Sequence, residues 1–188
     1  MTYSASDLRK GLRIEIDGVP YIITEFTFVK PGKGQAIYTC KLKSLVDGST
    51  FTKTYRDNAT IDEPKLEERN LQFSYAEGDD YIFMDKSFEQ VTIPASVLGD
   101  KKYFLVEEIA VNVLYHNDRA IDVTMPYFIE KKITFTEPGV RGDTATNVQK
   151  PATVEGGYQL QVPLFVNLGD VIRIDTRTGQ YADRVTKK

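Results

Sequence analysis

Apolar and polar residues alternate with a period of two along most of the chain, and turn residues interrupt the alternation at short intervals. That pattern marks short, half-buried strands. Leu12, Ile14 and Ile16 alternate with Arg13 and Glu15 before Asp17-Gly18, a dipeptide suited to a tight hairpin because Gly tolerates positive φ. A second strand is expected over about Tyr21 to Val29 and a third over Ala36 to Lys43. After Asp47-Gly48, a fourth over Thr50 to Arg56 completes a meander.

Residues 58–69, NATIDEPKLEER, are polar with one Pro and no apolar face, so they read as a connection between compact units with a boundary near Pro64. Beyond it, strands are expected over Leu71 to Tyr75, Tyr81 to Met84, Ile109 to Tyr115 and Ala120 to Thr124. A short helical piece is expected between Pro94 and Glu108, where Val97, Leu98, Phe104 and Leu105 do not alternate. Met125-Pro126 ends the second unit. A third set of strands begins at Phe128 and runs through Ile133 to Phe135, Tyr158 to Val162, Val171 to Ile174 and Gln180 to Val185. The fold class expected is all-β, with three small barrels: residues 1–64 as an SH3-like (KOW-like) domain, 65–127 and 128–188 as five-stranded OB-fold domains.

Composition narrows the chemistry. The chain has 188 residues with one Cys and one His, so an intramolecular disulfide and a cysteine-histidine zinc cluster are both excluded, and no metal is expected. The start, MTYSASDLRK, lacks an apolar signal core, and no run approaches the roughly 20 apolar residues of a membrane span. A cytoplasmic, monomeric protein without a membrane partner is expected. Cys40, on an alternating strand, reads as a small buried apolar group. His116, in a hairpin turn without a nearby nucleophile pattern, reads as a surface residue. The pairs Asp79-Asp80 and Glu107-Glu108 read as solvated, because neighbours on a strand face opposite sides.

The net charge of −3 conceals an uneven distribution. Residues 1–64 carry nine basic and eight acidic side chains, 65–127 six and twelve, and 128–188 nine and seven. From Phe26 to Arg56, the cations Lys30, Lys33, Lys41, Lys43, Lys53 and Arg56 face a single acid, Asp47. A polyanion would meet this stretch more favourably than the acidic middle.

The most unusual local chemistry is the loop Lys30-Pro31-Gly32-Lys33-Gly34-Gln35 between two alternating strands. Pro31 fixes its own φ, and the glycines on either side of Lys33 admit backbone angles that other residues avoid. The loop contains no acid, so Lys33 places a full charge on a flexible stem at an exposed tip. The loop lacks the spacing and the following Ser or Thr of a phosphate-binding P-loop. Two readings stand side by side on these residues alone: a solvated hairpin turn, and a displayed cation.

The segment Phe28-Val29-Lys30-Pro31-Gly32-Lys33-Gly34-Gln35-Ala36 resembles the tip loop of bacterial elongation factor P. A distant second match, Lys150-Pro151-Ala152, Gly157, Leu160, Val162-Pro163, Val166 and Gly169, fits that family's C-terminal signature. Gly142-Asp143-Thr144 and Gly179-Gln180-Tyr181-Ala182-Asp183-Arg184 also look like family segments. The resemblance spans essentially the whole chain. Gly156-Gly157 departs from it, standing where a hydroxyl residue often precedes the glycine.

This resemblance implies an L-shaped, tRNA-like factor that binds the ribosome, contacting both subunits, between the peptidyl and exit sites. It would stimulate peptide-bond formation at consecutive prolines, with Lys33 directed along the acceptor end of peptidyl-tRNA. It implies further that Lys33 is extended by a β-lysyl group, although other relatives carry a different extension or none, and that a lysine-modifying enzyme is a partner. Lys41, Lys43, Lys53 and Arg56 would lie on tRNA phosphates, and the acidic middle domain would face solvent or the L1 stalk. Gly142, Asp143, Thr144, Tyr181 and Arg184 would contact the exit-site codon and small subunit, while for Tyr181 and Arg184 ordinary strand packing and a surface position remain open. Two rival classes are an enzyme using Lys33 as a Schiff-base nucleophile and a general binder of RNA or oligosaccharide. The first needs a lysine pKa depressed by burial or by a neighbouring cation, and a glycine-flanked tip offers little burial; the second leaves the tip loop unexplained. No catalytic residue is expected.

Overall fold

The computed structural model describes residues 1–138 and 148–185. The chain divides into two compact units, Met1–Arg69 with Val113–Asp122 and Asn70–Asn112 with Val123–Lys188. Its strands form three sheets, and the fold is all-β as the alternation predicts. The first sheet holds β1 (Thr2–Ser4), β2 (Arg13–Ile16), β3 (Val19–Val29), β4 (Ile37–Ser44), β5 (Thr50–Arg56) and β6 (Thr60–Asp62), in the order β1-β6-β2-β3-β4-β5. Asp17 and Gly18 both adopt positive φ, 51° and 76°, which lets two residues turn β2 into β3 with the twist a hairpin needs. Tyr38, Cys40, Leu42 and Ser44 of β4 point inward in strict alternation. They close a core with Ile14, Ile23 and Ile61, and burial pushes the Cys40 thiol pKa up.

Residues 58–69 are not the plain connection their polarity suggests. Thr60–Asp62 form β6, which pairs with β1 and β2, and Ile61 is 3% exposed. A three-residue strand needs one inward apolar side chain, too few to show a period. The short β1 is missed for the same reason.

The second sheet holds β7 (Leu66–Glu77), β8 (Asp80–Met84), β9 (Gln90–Pro94), β10 (Ala110–His116) and β11 (Arg119–Thr124), in the order β11-β10-β7-β8-β9. The expected helical piece is α1 (Ala95–Leu98) followed by a 3-10 turn over Gly99–Phe104. The third sheet holds β12 (Phe128–Thr136), β13 (Gln149–Val154), β14 (Gln159–Pro163), β15 (Val171–Asp175) and β16 (Gln180–Arg184), in the order β14-β13-β12-β15-β16. Two lysines face its interior: Lys131 Nζ donates to the Glu155 carbonyl at 2.9 Å and Lys150 Nζ to that of Glu137 at 2.7 Å. Burial lowers the Lys131 pKa. The alternation places Lys131 in phase with Ile129 and Ile133, so its inward position is readable from the sequence once the strand is known.

His116 is not a surface residue. It is 8% exposed, and its Nε2 lies 2.7 Å from Glu15 Oε2 within the first unit. Residues 101 positions apart pair here, a contact with no local sequence signal.

The Tyr55 hydroxyl is buried with no hydrogen-bond partner among the described residues, and burial pushes its pKa up to about 12. Removing an unpaired buried hydroxyl relieves a desolvation cost, so Tyr55→Phe is expected to raise stability by about 1 kcal/mol in urea unfolding. An unfolded phenol ionises near 10 and this one near 12 in the fold. The neutral side chain therefore supports the fold fully below pH 10, and that support is lost as pH climbs toward 12. The Phe variant should show a smaller alkaline loss of stability.

Candidate nucleic-acid interface

Strands β3 and β4 run in register out to the pair Val29 and Ile37, and residues 30–36 close the hairpin. Lys30, Gly32, Lys33, Gly34 and Gln35 are exposed and Pro31 is half-buried. Gly34 has φ +125°, a conformation closed to side-chain-bearing residues. Open space surrounds both glycines, so the requirement at Gly34 is conformational and nothing crowds Lys33. Among the described residues, no ion pair engages Lys30 or Lys33.

The foot of the loop is braced by a residue the sequence reading does not single out. Asp57 Oδ2 accepts the Ala36 N–H at 3.2 Å and Asp57 Oδ1 accepts the Tyr38 hydroxyl at 3.0 Å. Burial, and then the Asp57 carboxylate, raise the Tyr38 pKa. Asp57 lies one residue past Arg56, where the basic stretch ends, and only the β4–β5 register brings it under the loop. Hydrogen bonds to charged groups contribute about 1.5–3 kcal/mol each when buried and less when half-exposed. Asp57→Ala is expected to cost about 2 kcal/mol and to expose the Ala36 amide to hydrogen exchange. Protection at Ala36 equal to that of the parent would refute the brace.

The four further cations do not share one surface. Directly opposed residues in an antiparallel ladder point the same way. By register Lys41 opposes Glu25 and Thr52, Lys43 opposes Ile22 and Thr50, and Arg56 opposes Ile37. These three, with Thr39 and Thr54, occupy one face. Lys53 opposes Cys40 and belongs to the other, with its Nζ 5.5 Å from the centre of the Tyr55 ring. Lys41 is also engaged, its Nζ 2.9 Å from Glu25 Oε1, and this bond holds the Glu25 pKa down. Lys43 and Arg56 are the unpaired cations of that face among the described residues.

In the third sheet, Tyr181 opposes the fully buried Ile174 and is itself half-buried, lining a groove of about 350 Å³ with Tyr158, Leu160 and Gly179. Burial raises its pKa. Arg184 lies 5.3 Å from the Phe165 ring centre and 3.5 Å from Asp170 Oδ2. Gly142, Asp143 and Thr144 lie outside the described residues. No helix among the described residues is long and apolar enough to cross a membrane, and none of their His, Cys, Asp and Glu side chains form a cluster suited to a metal ion. The interface presents displayed cations on a braced hairpin, an arrangement that can hold phosphates.

Comparison with known proteins extends this picture along the chain. Three family models match it: the elongation factor P KOW-like domain over residues 4–61, the elongation factor P OB domain over 66–123, and the elongation factor P C-terminal domain over 129–184. Elongation factor P of Desulfotalea psychrophila is 51% identical over 97% of this chain and 98% of its own. That of Desulfosudis oleivorans is 49% identical over 98% and 100%. Among solved structures, eukaryotic translation initiation factor 5A from Methanococcus jannaschii shares the fold, with a TM-score of 0.57 at 20% identity over 66% of this chain and 92% of its own. Matches to all three domain models, in order and along nearly the full length of close relatives, establish that the chain belongs to the elongation factor P family of translation elongation factors.

Proposed function

We propose that the protein binds the ribosome beside peptidyl-tRNA and stimulates peptide-bond formation, relieving stalls at consecutive prolines, by positioning the tRNA acceptor end through Lys33. The observation that carries this reading is the display of Lys33 without an ion pair among the described residues, on a hairpin whose foot Asp57 holds in place. Proline is a conformationally restricted partner in peptide transfer, so the slow step suffers from misplaced reactants. A cation that holds the acceptor end in a reactive pose lowers the entropic part of the barrier while the ribosome performs the chemistry. The protein needs no catalytic residue for this, and it acts in the cytoplasm, where translation takes place.

A β-lysyl extension of Lys33, added by a lysine-modifying enzyme, would lengthen the reach and add donors. Intact-mass measurement of protein from its native host, with fragmentation around Lys33, tests for it, and an unmodified Lys33 would remove it. The excess of acids in residues 65–127 suits that domain to solvent or to a basic neighbour such as the L1 stalk. Lys43 and Arg56 suit tRNA phosphates. Lys41, already paired with Glu25, must exchange one anion for another.

Placement is tested by attaching an iron chelate to Gln35→Cys and mapping hydroxyl-radical cleavage of ribosomal RNA. Cys40 is fully buried, so the parent chain serves as the unlabelled control. Cuts clustered around the peptidyl transferase centre are expected, and cuts confined to sites remote from it would sink the proposal.

A further inference from the structure

Just below the tip, three aromatic rings form one row across three strands. Phe28 is registered with Tyr38, and Tyr38 with Tyr55, so all three point to the same face. Tyr38 and Tyr55 are each 8% exposed, whereas Phe28 is 49% exposed. The Phe28 and Tyr38 ring centres lie 5.0 Å apart. The register of β3 with β2 ends at Ile22, so beyond the core this stretch of β3 pairs only with β4 among the described residues. Tyr38 therefore supports the Phe28 ring on one flank and leaves the other open.

A single exposed apolar ring is unremarkable; the charges around this one set it apart. Lys30 follows two residues later, Lys33 stands at the tip, and Lys53 lies on the same face as the aromatic row. None of these three is in an ion pair among the described residues. The nearby carboxylate, Asp57, bonds Ala36 and Tyr38 and forms no ion pair with any of the three among the described residues. The other exposed apolar residue here, Val29, is 52% exposed but faces the opposite side, as neighbours on a strand must. No continuous apolar patch results of the kind a protein partner would cover. An open ring flanked by cations that are in no ion pair among the described residues matches single-stranded nucleic acid, with the base on the ring and phosphates on the lysines.

We infer that Phe28 is a stacking platform for a nucleobase of an unpaired RNA 3′ end, with Lys30 and Lys53 holding the adjoining phosphates. This rests on the proposed placement of the tip beside peptidyl-tRNA and gives the ring a positioning role separate from that of Lys33. It also accounts for the position of Lys53 away from Lys41, Lys43 and Arg56.

The test compares full-length Phe28→Leu, Phe28→Trp and Lys33→Ala in single-turnover peptide transfer to proline on the ribosome. The chain contains no Trp, so the emission of Phe28→Trp on ribosomes, less that of the same ribosomes with the parent chain, reports on that position. Phe28→Leu is expected to lose about tenfold in acceleration at an unchanged thermal midpoint, and Phe28→Trp to keep it. Tryptophan emission should be quenched on ribosomes carrying intact deacylated tRNA in the peptidyl site, and not when that tRNA lacks its terminal unpaired nucleotides. Full acceleration by Phe28→Leu, or emission indifferent to the missing nucleotides, overturns the inference. Should Phe28→Leu lower the thermal midpoint, the fluorescence comparison decides. If either overturning result accompanies an inactive Lys33→Ala, only the stacking role falls. A fully active Lys33→Ala removes the proposed function itself.

Discussion

Lys33→Ala should slow relief of proline stalls roughly tenfold to a hundredfold while leaving the thermal midpoint where it was. The two halves of this expectation have separate physical origins. Lys33 is exposed, open space surrounds the glycines beside it, and the Asp57 brace attaches at Ala36 and Tyr38, so truncation removes no packing and no internal bond. A surface substitution of this kind changes stability by no more than about 0.5 kcal/mol. On the ribosome the same ammonium would be a charge-assisted donor in a confined site. Losing such a contact costs about 1.5–3 kcal/mol, or roughly tenfold to a hundredfold in rate at 1.36 kcal/mol per decade. Lys33→Arg separates charge from extension: it keeps a cation but removes the amine that a β-lysyl group would occupy. If extension matters, Arg behaves like Ala; if charge alone suffices, it retains most of the activity. Measured translation through a proline run at the parent rate with Lys33→Ala would end the argument for the tip.

The β-architecture was legible because each sheet buries one face, and burial of one face writes a period of two into strands such as β4, where Tyr38, Cys40, Leu42 and Ser44 alternate with exposed or half-buried residues. The display of Lys33 was legible for a related reason. Glycine, proline and the absence of acids are local facts, and local facts set loop exposure. What the sequence concealed depends on pairing between distant residues. Asp57 reaches Ala36 and Tyr38 through the β4–β5 register, Glu15 reaches His116 across 101 positions, and Lys53 leaves the other cations because strand register, rather than chain proximity, decides which face a residue occupies. A stretch counted as uniformly basic along the chain is thus two differently charged surfaces in the fold. The short β6 shows the lower limit of periodicity: one buried Ile61 stabilises a strand but cannot declare it.

Gly179→Ala is expected to destabilise the second unit by roughly 3 kcal/mol, read as a lower midpoint in denaturant at unchanged slope. Gly179 has φ +71°, which costs a residue with a side chain about 1–2 kcal/mol. Its surroundings add more. A Cβ there would stand 2.2 Å from the Tyr158 hydroxyl, inside any tolerable contact, so the side chain must move, although Tyr158 Cζ at 3.4 Å is in ordinary contact. Tyr158 is tied in two ways. Its hydroxyl donates to the Gly179 carbonyl at 3.0 Å, and its ring meets Phe104 edge-on with centres 4.9 Å apart. Displacement sacrifices the hydrogen bond, about 1 kcal/mol, and part of an aromatic contact worth about 0.5–1.5 kcal/mol. The backbone and steric parts separate in a double-mutant cycle. Tyr158→Phe alone loses the hydroxyl bond, but in that background the nearest obstacle to an alanine is gone, so adding Gly179→Ala should cost little more than the φ penalty. Simple additivity of the two substitutions would show that Tyr158 does not set the requirement for glycine.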